Sequence, residues 1–196
     1  MAGIIEIDSK TKILLAAKKL FALHGFNGTS VRQICEEAGV NIALVSYHFG
    51  GKENVFGALF DTFFPNERLA DIDKDINPVT GVEMIIEEVT KYRYEEPELI
   101  RIIQQEIVMN TSRIDKIREH VMPIWMYLRH CLEAGQEQGI FQYRSLDSTL
   151  MSIIGTLLFY RNSEYWNVLL TDRTQERELL AEDLKSFILN GLQCKE

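Results

Sequence analysis

Thr29-Ser-Val-Arg-Gln-Ile-Cys-Glu-Glu-Ala-Gly-Val-Asn-Ile-Ala-Leu-Val-Ser-Tyr-His-Phe-Gly-Gly-Lys-Glu53 is the stretch that decides the fold of this chain. Thr29 or Ser30 is placed to cap a short helix whose inner face is Val31, Ile34, Cys35 and Ala38. Gly39 supplies a tight turn, and Asn41 caps a second short helix running to about His48. Gly50-Gly51 breaks that helix and Lys52 opens another. Two short helices about a glycine turn are the layout of a helix-turn-helix reader of duplex DNA. Val45 and Phe49, four apart, can anchor the second helix inward against Phe21, Val31 and Ile34. That leaves Asn41, Ile42, Ala43, Leu44, Ser46, Tyr47 and His48 on or near the outside, and no Asp or Glu between Asn41 and Lys52 to repel phosphate. Thr29, Ser30, Asn41, Tyr47, His48 and Lys52 are donors of the kind that pair with phosphate oxygens, with Arg32 as a further candidate for a phosphate or groove contact. The N-termini of the helices opening near Thr29 and Lys52 add backbone N–H groups and partial positive charge.

Outward from this segment the chain reads as helix throughout. Ser9 is a plausible cap for a first helix with Ile13, Leu14, Ala17, Leu20 and Phe21 on one face, and Gly25 a natural stop. Beyond Lys52, Pro65 ends or kinks a helix and the polar residues 71–77 read as a loop. Pro78 and Pro97 sit at first helical positions. Thr111 or Ser112 caps a long helix to about Gln138, interrupted by Pro123, and two last helices follow, roughly 146–170 and 174–192. No stretch alternates strictly enough for a strand. The expected fold is all-α with about nine helices, a three-helix helix-turn-helix domain over 1–55 and a helical bundle over 56–196.

The chain has 196 residues, 46% of them hydrophobic, which suffices for a substantial core. Its formal net charge of −8 is unevenly spread: residues 1–56 hold six Lys/Arg against five Asp/Glu, so the acidity lies in the remainder. An acidic body behind a near-neutral head suits a reader that must not adhere to DNA everywhere. The three cysteines, Cys35, Cys131 and Cys194, show neither a zinc spacing nor a disulfide framework and read as free thiols. The first residues lack the charge and apolar run of a signal peptide. The longest apolar-rich run, 150–160, is too short to span a bilayer. A soluble cytoplasmic protein with no membrane partner is expected. No nucleophile elbow, zinc-protease, phosphate-loop or dinucleotide-binding pattern appears, so neither an enzyme nor a cofactor is expected.

The ordered set Leu20-Phe21, Gly25-Phe26, Gly28-Thr29-Ser30-Val31, Ile34, Ala38-Gly39-Val40, Tyr47-His48-Phe49 and Lys52-Glu53 resembles the DNA-binding domain of the TetR family of bacterial repressors over residues of about 10 to 60. The resemblance implies phosphate contacts from Thr29, Asn41, Tyr47, His48 and Lys52, and base contacts from around Ile42, Ala43 and Ser46. Two residues depart from the family's commonest pattern. Ile42 is apolar where a polar or basic residue is frequent, and Ser46 stands where an aromatic is frequent. With no Arg, Lys or Gln on the groove face, Ile42, Ala43 and Leu44 are expected to read thymine methyl groups, and Ser46 to make a short polar contact.

One short helix reads too few base pairs alone, so such proteins pair as two-fold dimers. Leu150, Ile153, Ile154 and Leu157 on one C-terminal helix and Leu180, Leu184, Phe187 and Ile188 on the other could form that interface, or could pack on their own subunit. Tyr92, Tyr94, Met109, Met122, Trp125, Met126, Phe159, Tyr160 and Trp166 make an aromatic and methionine-rich set that suits an adaptable pocket for a small apolar effector, and suits an ordinary core equally. Arg93, Arg101, Gln105 or Glu106 could add a polar contact there. The expected function is a homodimeric, sequence-specific transcriptional repressor on a palindromic operator, released by an effector. The alternative is a ligand-independent DNA-binding architectural or cell-cycle protein using the same head.

Overall fold

The computed structural model describes residues 7–65, 76–159, 164–171 and 177–194. Among them are nine α-helices: α1 (Ser9–His24), α2 (Val31–Ala38), α3 (Ala43–Phe49), α4 (Lys52–Phe63), α5 (Pro78–Glu95), α6 (Pro97–Met109), α7 (Ile114–Glu137), α8 (Leu146–Phe159) and α9 (Arg177–Gly191). A 3-10 turn covers Glu164–Val168, and no strand occurs among the described residues. The all-α expectation holds. Glu164–Val168, expected as part of the helix from 146 to 170, form a 3-10 turn instead, residues 174–176 of the last expected helix lie outside the described residues, and α7 runs unbroken through Pro123. Its ring removes the N–H that would reach the Glu119 carbonyl and crowds that carbonyl, a local cost within a helix of 24 residues. Residues 71–75 of the expected loop lie outside the described residues.

Two compact units form. The first takes the described residues of Met1–Asn66 together with Glu98–His120; the second takes those of Glu67–Pro97 and Val121–Glu196. In the first unit, α1 packs on α2, α3 and α4. Ile13, Leu14, Ala17, Phe21, Ile34, Val45, Val55, Phe56, Leu59 and Phe60 make its core. Phe26 joins Phe21 and Phe56 at ring separations of 5.3 and 5.6 Å, the latter edge to face, a favourable aromatic geometry. Leu99, Ile102 and Ile103 of α6 and Ile117 of α7 are buried as well. At the far end of α4, His120 lies 3.2 Å from the Asp61 carboxylate and stacks on Phe60.

In the second unit α5 packs against α9 and α8. Val82, Ile85 and Ile86, then Leu128 and Leu132, then Leu157, Leu158, Leu180 and Ile188 are withdrawn from water. Gly81 permits a close crossing: a Cβ there would lie 2.5 Å from the Cys131 sulfur. Lys185 pairs with Glu87 at 2.5 Å, and the Arg93 guanidinium donates to the Leu157 carbonyl.

These contacts bear on two pairs of alternatives that the sequence left open. Ile153, Leu157, Leu180, Leu184 and Ile188, expected at a dimer face, are buried in their own subunit, and Leu150 and Ile154 are half-buried; Phe187 alone of the set is exposed, at 68%. The reason is that α8 and α9 use most of their apolar stripe within the unit that holds α5. The aromatic and methionine set is not gathered either. Tyr92 and Trp125 are buried and Phe159 half-buried, but Tyr94, Met109, Met122, Met126 and Trp166 are exposed. Met122 and Met126, four apart, share the outer stripe of α7, and Met109 belongs to the first unit. Tyr160 lies outside the described residues. No helix among the described residues is long and apolar enough to cross a membrane.

Candidate nucleic-acid interface

The reading segment is built from local signals. Ser30 caps α2 through a reciprocal capping box: its hydroxyl accepts from the Gln33 N–H at 3.2 Å, and the Gln33 side chain accepts from the Ser30 N–H at 2.8 Å. Gly39 ends α2 in the left-handed region, with φ 62° and ψ 37°. Asn41 then accepts from the Ala43 N–H at 2.9 Å. Ile42 already has helical angles, so Asn41 is the working cap although the regular helix opens at Ala43. Gly51 precedes α4 with no side-chain cap, leaving the first N–H groups of that helix open toward an anion.

The anchors fall where the spacing put them. Val45 is 1% and Phe49 8% exposed, so α3 is pinned on one side. On the other, Tyr47 is 81% and Ile42 55% exposed, Asn41, Ala43 and Ser46 are exposed, and Leu44 and His48 are half-buried. Donors and apolar side chains are thereby brought to one surface. His48 is steadied from α1: its Nε2 lies 2.9 Å from Ser9 Oγ, and its ring meets Tyr47 edge-on at 5.0 Å. Ser9 is spent in this way rather than as the cap of α1. That task falls to Asp8, whose carboxylate accepts from the Thr11 N–H at 2.8 Å.

Two expected donors are committed inward. Thr29 is 2% exposed and its hydroxyl donates to the Gly25 carbonyl at 2.9 Å, so its side chain holds the α1–α2 turn rather than facing solvent. The Lys52 ammonium donates to the Phe26 and Thr29 carbonyls at 3.0 and 2.8 Å and lies 4.1 Å from the centre of the Phe26 ring. Burial lowers its pKa below the usual lysine value, the Glu53 charge opposes that fall, and the Arg113 guanidinium adds to it. Two of its three N–H groups are thus used at home. Arg32 is fully on the surface and pairs with Glu36 at 2.7 Å, one turn along α2; an exposed pair of this kind is weak enough for a phosphate to displace the carboxylate.

Arg113 carries no signal in the sequence, and Ser9 reads there only as a helix cap, not as the partner of His48. Of the four residues offered as alternatives for a polar effector contact, Gln105, Glu106 and Arg93 make hydrogen bonds within the protein. Gln105 donates to the Ala22 carbonyl at 3.0 Å, Glu106 accepts from Arg113, and Arg93 binds the Leu157 carbonyl. No local pattern reveals the partners of Gln105 and Arg93, which are 83 and 64 positions away.

This geometry agrees with the comparisons. The family model for bacterial regulatory proteins of the tetR family matches residues 13–59, and that for the tetracyclin repressor-like C-terminal domain matches residues 78–190. The probable HTH-type transcriptional regulator YttP of Bacillus subtilis is 24% identical over 194 residues, which is 94% of either chain. The HTH-type transcriptional repressor NicS of Pseudomonas putida is 26% identical over 161 residues, 79% of this chain and 76% of that one. The crystal structure of HlyIIR, a hemolysin II transcriptional regulator, matches with a TM-score of 0.77 at 28% identity, covering 95% of this chain and 98% of that one. These relatives are transcriptional regulators, not enzymes. One model thus takes in the reading head and the other takes in more than half of the chain, so this protein belongs to the TetR family of bacterial regulatory proteins and is a DNA-binding transcriptional regulator.

Proposed function

We propose that the protein is a cytoplasmic homodimeric repressor that binds a palindromic operator and releases it when a small effector binds. Residues 1–55 read DNA; residues 56–196 dimerise and sense. The observation that carries the DNA reading is the two-sidedness of α3: Val45 and Phe49 buried, Ile42 and Tyr47 projecting. Tyr47, His48, Asn41, Ser30, Arg32 and the remaining N–H of Lys52 meet phosphate, joined by the uncapped start of α4. Ile42 and Ala43, with the edge of Leu44, lie against thymine methyl groups, and Ser46 makes a short polar contact.

Dimerisation is assigned to the outer faces of α8 and α9. Met151 and Phe187 are 63% and 68% exposed beside a groove of about 660 Å³ that also presents Ser152, Gly155 and Thr156. Small residues between large apolar ones let the same pair of helices from a second copy approach closely. A two-fold pair of α3 helices then enters major grooves about 34–36 Å apart. An apolar effector meets Tyr92 and Trp125, the buried aromatics of the body set. Its preference for one of two dimer shapes shifts the population away from the DNA-binding one.

The test is a footprinted operator in which thymine is replaced by uracil at the positions under α3. Each lost methyl contact removes about 0.8 kcal/mol, or roughly fourfold in affinity. Equal binding of the uracil operator rules out methyl reading. Protection of scattered sites without a two-fold pattern rules out the palindromic repressor.

A further inference from the structure

Glu106 is a carboxylate almost wholly withdrawn from water, 5% exposed near the end of α6. Charge in such a place needs both ion pairing and hydrogen bonds. Arg113 supplies them in a two-pronged grip, Nε to Oε2 at 3.1 Å and Nη2 to Oε1 at 3.3 Å, and the Thr111 hydroxyl donates to Oε2. The grip fixes the guanidinium, whose carbon lies 4.0 Å from the centre of the Phe26 ring and 5.7 Å from that of Phe56. Phe26 in turn meets Lys52, whose ammonium bonds its carbonyl at 3.0 Å and lies 4.1 Å from its ring. The neighbouring Gln105 holds the Ala22 carbonyl at 3.0 Å. The end of α6 and the corner after it therefore grip the last turn of α1 at Ala22 and the α1–α2 connection at Phe26, and the second point seats Lys52.

We propose that Arg113, oriented by Glu106, is a positioning residue for DNA binding: it sets Phe26, and Phe26 with the Thr29 carbonyl holds the Lys52 ammonium where its free N–H meets phosphate. The proposal rests on the reading of Lys52 as a phosphate donor. A lysine at 113 keeps the charge but loses the fork and the flat stacking face, so it cannot hold the same geometry.

The experiment is a double-mutant cycle in the full chain with Arg113→Lys, Lys52→Ala and the two combined. It reads operator affinity across a salt series, with thermal melting alongside. Lys52→Ala is expected to flatten the dependence of log K on log salt by about 0.9 per subunit, one phosphate contact. Arg113→Lys is expected to weaken binding severalfold and flatten the slope in the same direction. The double variant should bind no more than about twofold worse than Lys52→Ala alone, since both act through one ammonium. Glu106→Gln, which keeps the shape but loses the charge, should reproduce the Arg113→Lys slope if that variant melts too low to assay. Three results overturn the proposal. An unchanged slope in Arg113→Lys and Glu106→Gln with only a lower melting temperature leaves Arg113 a structural residue. Multiplicative losses in the double variant make the two residues independent. Normal affinity and slope in Lys52→Ala removes the phosphate reading itself, whatever Arg113 does.

Discussion

Gly39 lets the cost of a backbone conformation be measured without a steric contribution. It sits at φ 62°, ψ 37°, and a Cβ added there meets nothing within 4 Å. Gly39→Ala therefore introduces no clash, and its whole penalty is that of an L side chain in the left-handed region, about 1–2 kcal/mol. For a urea slope on the order of 2 kcal/mol per molar, the denaturation midpoint should fall by roughly 0.5–1 M. Gly139, at φ 72° with the same empty surroundings in the other unit, is the internal control: Gly139→Ala should lose a similar amount. Gly39→Asn should lose less, because asparagine tolerates this region better. Because alanine fits in place, the turn keeps its path and α3 its seat. Operator affinity of folded Gly39→Ala measured by anisotropy should therefore stay within about threefold of the parent, near 0.6 kcal/mol. An unchanged midpoint would refute the strain argument. A tenfold loss of affinity at a normal midpoint would show that the turn relaxes and carries α3 with it.

Other expectations follow from the same geometry. Tyr47→Ala removes a side chain that is 81% exposed, so stability should shift by less than about 0.5 kcal/mol while operator binding weakens markedly in the same anisotropy assay. Val45→Ala, at a site 1% exposed, deletes two buried carbons at about 0.8 kcal/mol each plus a small cavity, so a loss of roughly 2 kcal/mol in urea is expected. Phe187→Glu places a charge on the exposed groove of α8 and α9; sedimentation should show monomer, and retention of the dimer would move the interface elsewhere. Asp8 is held below its ordinary pKa chiefly by the Thr11 backbone N–H. A carboxyl depressed in the folded state contributes stability above its unfolded pKa and loses it as pH falls through the folded one. Asp8→Asn should flatten that part of the acid limb, and an unaltered limb would place the titration elsewhere.

Much of the head was legible because its signals act within four residues. Cap, turn glycine and apolar spacing decide α2, the turn and α3 before any distant contact forms, and the buried Val45 and Phe49 follow from them. The error at the start of α1 was a choice between neighbours. Asp8 and Ser9 both cap well, and His48, 39 residues away, takes the Ser9 hydroxyl. The capping box of Ser30 and Gln33 was readable from spacing alone, as a serine followed three residues later by glutamine.

The body was less legible for a different reason. Helices apolar on more than one face give no sign of which stripe turns inward, and only packing against α5 left Met151 and Phe187 outside while burying Leu157, Leu180 and Ile188. The amino-acid sequence by itself determined the all-helical class, the reading head and the outward face of α3, since each rests on local periodicity and turn chemistry. Tertiary structure alone decided which donors remain for DNA. Thr29 and Lys52 spend hydrogen bonds on carbonyls of the α1–α2 turn, and Arg113 reaches Phe26 across 87 positions of chain, because hydrogen bonds and ring contacts are satisfied by proximity in space and not by order along the backbone.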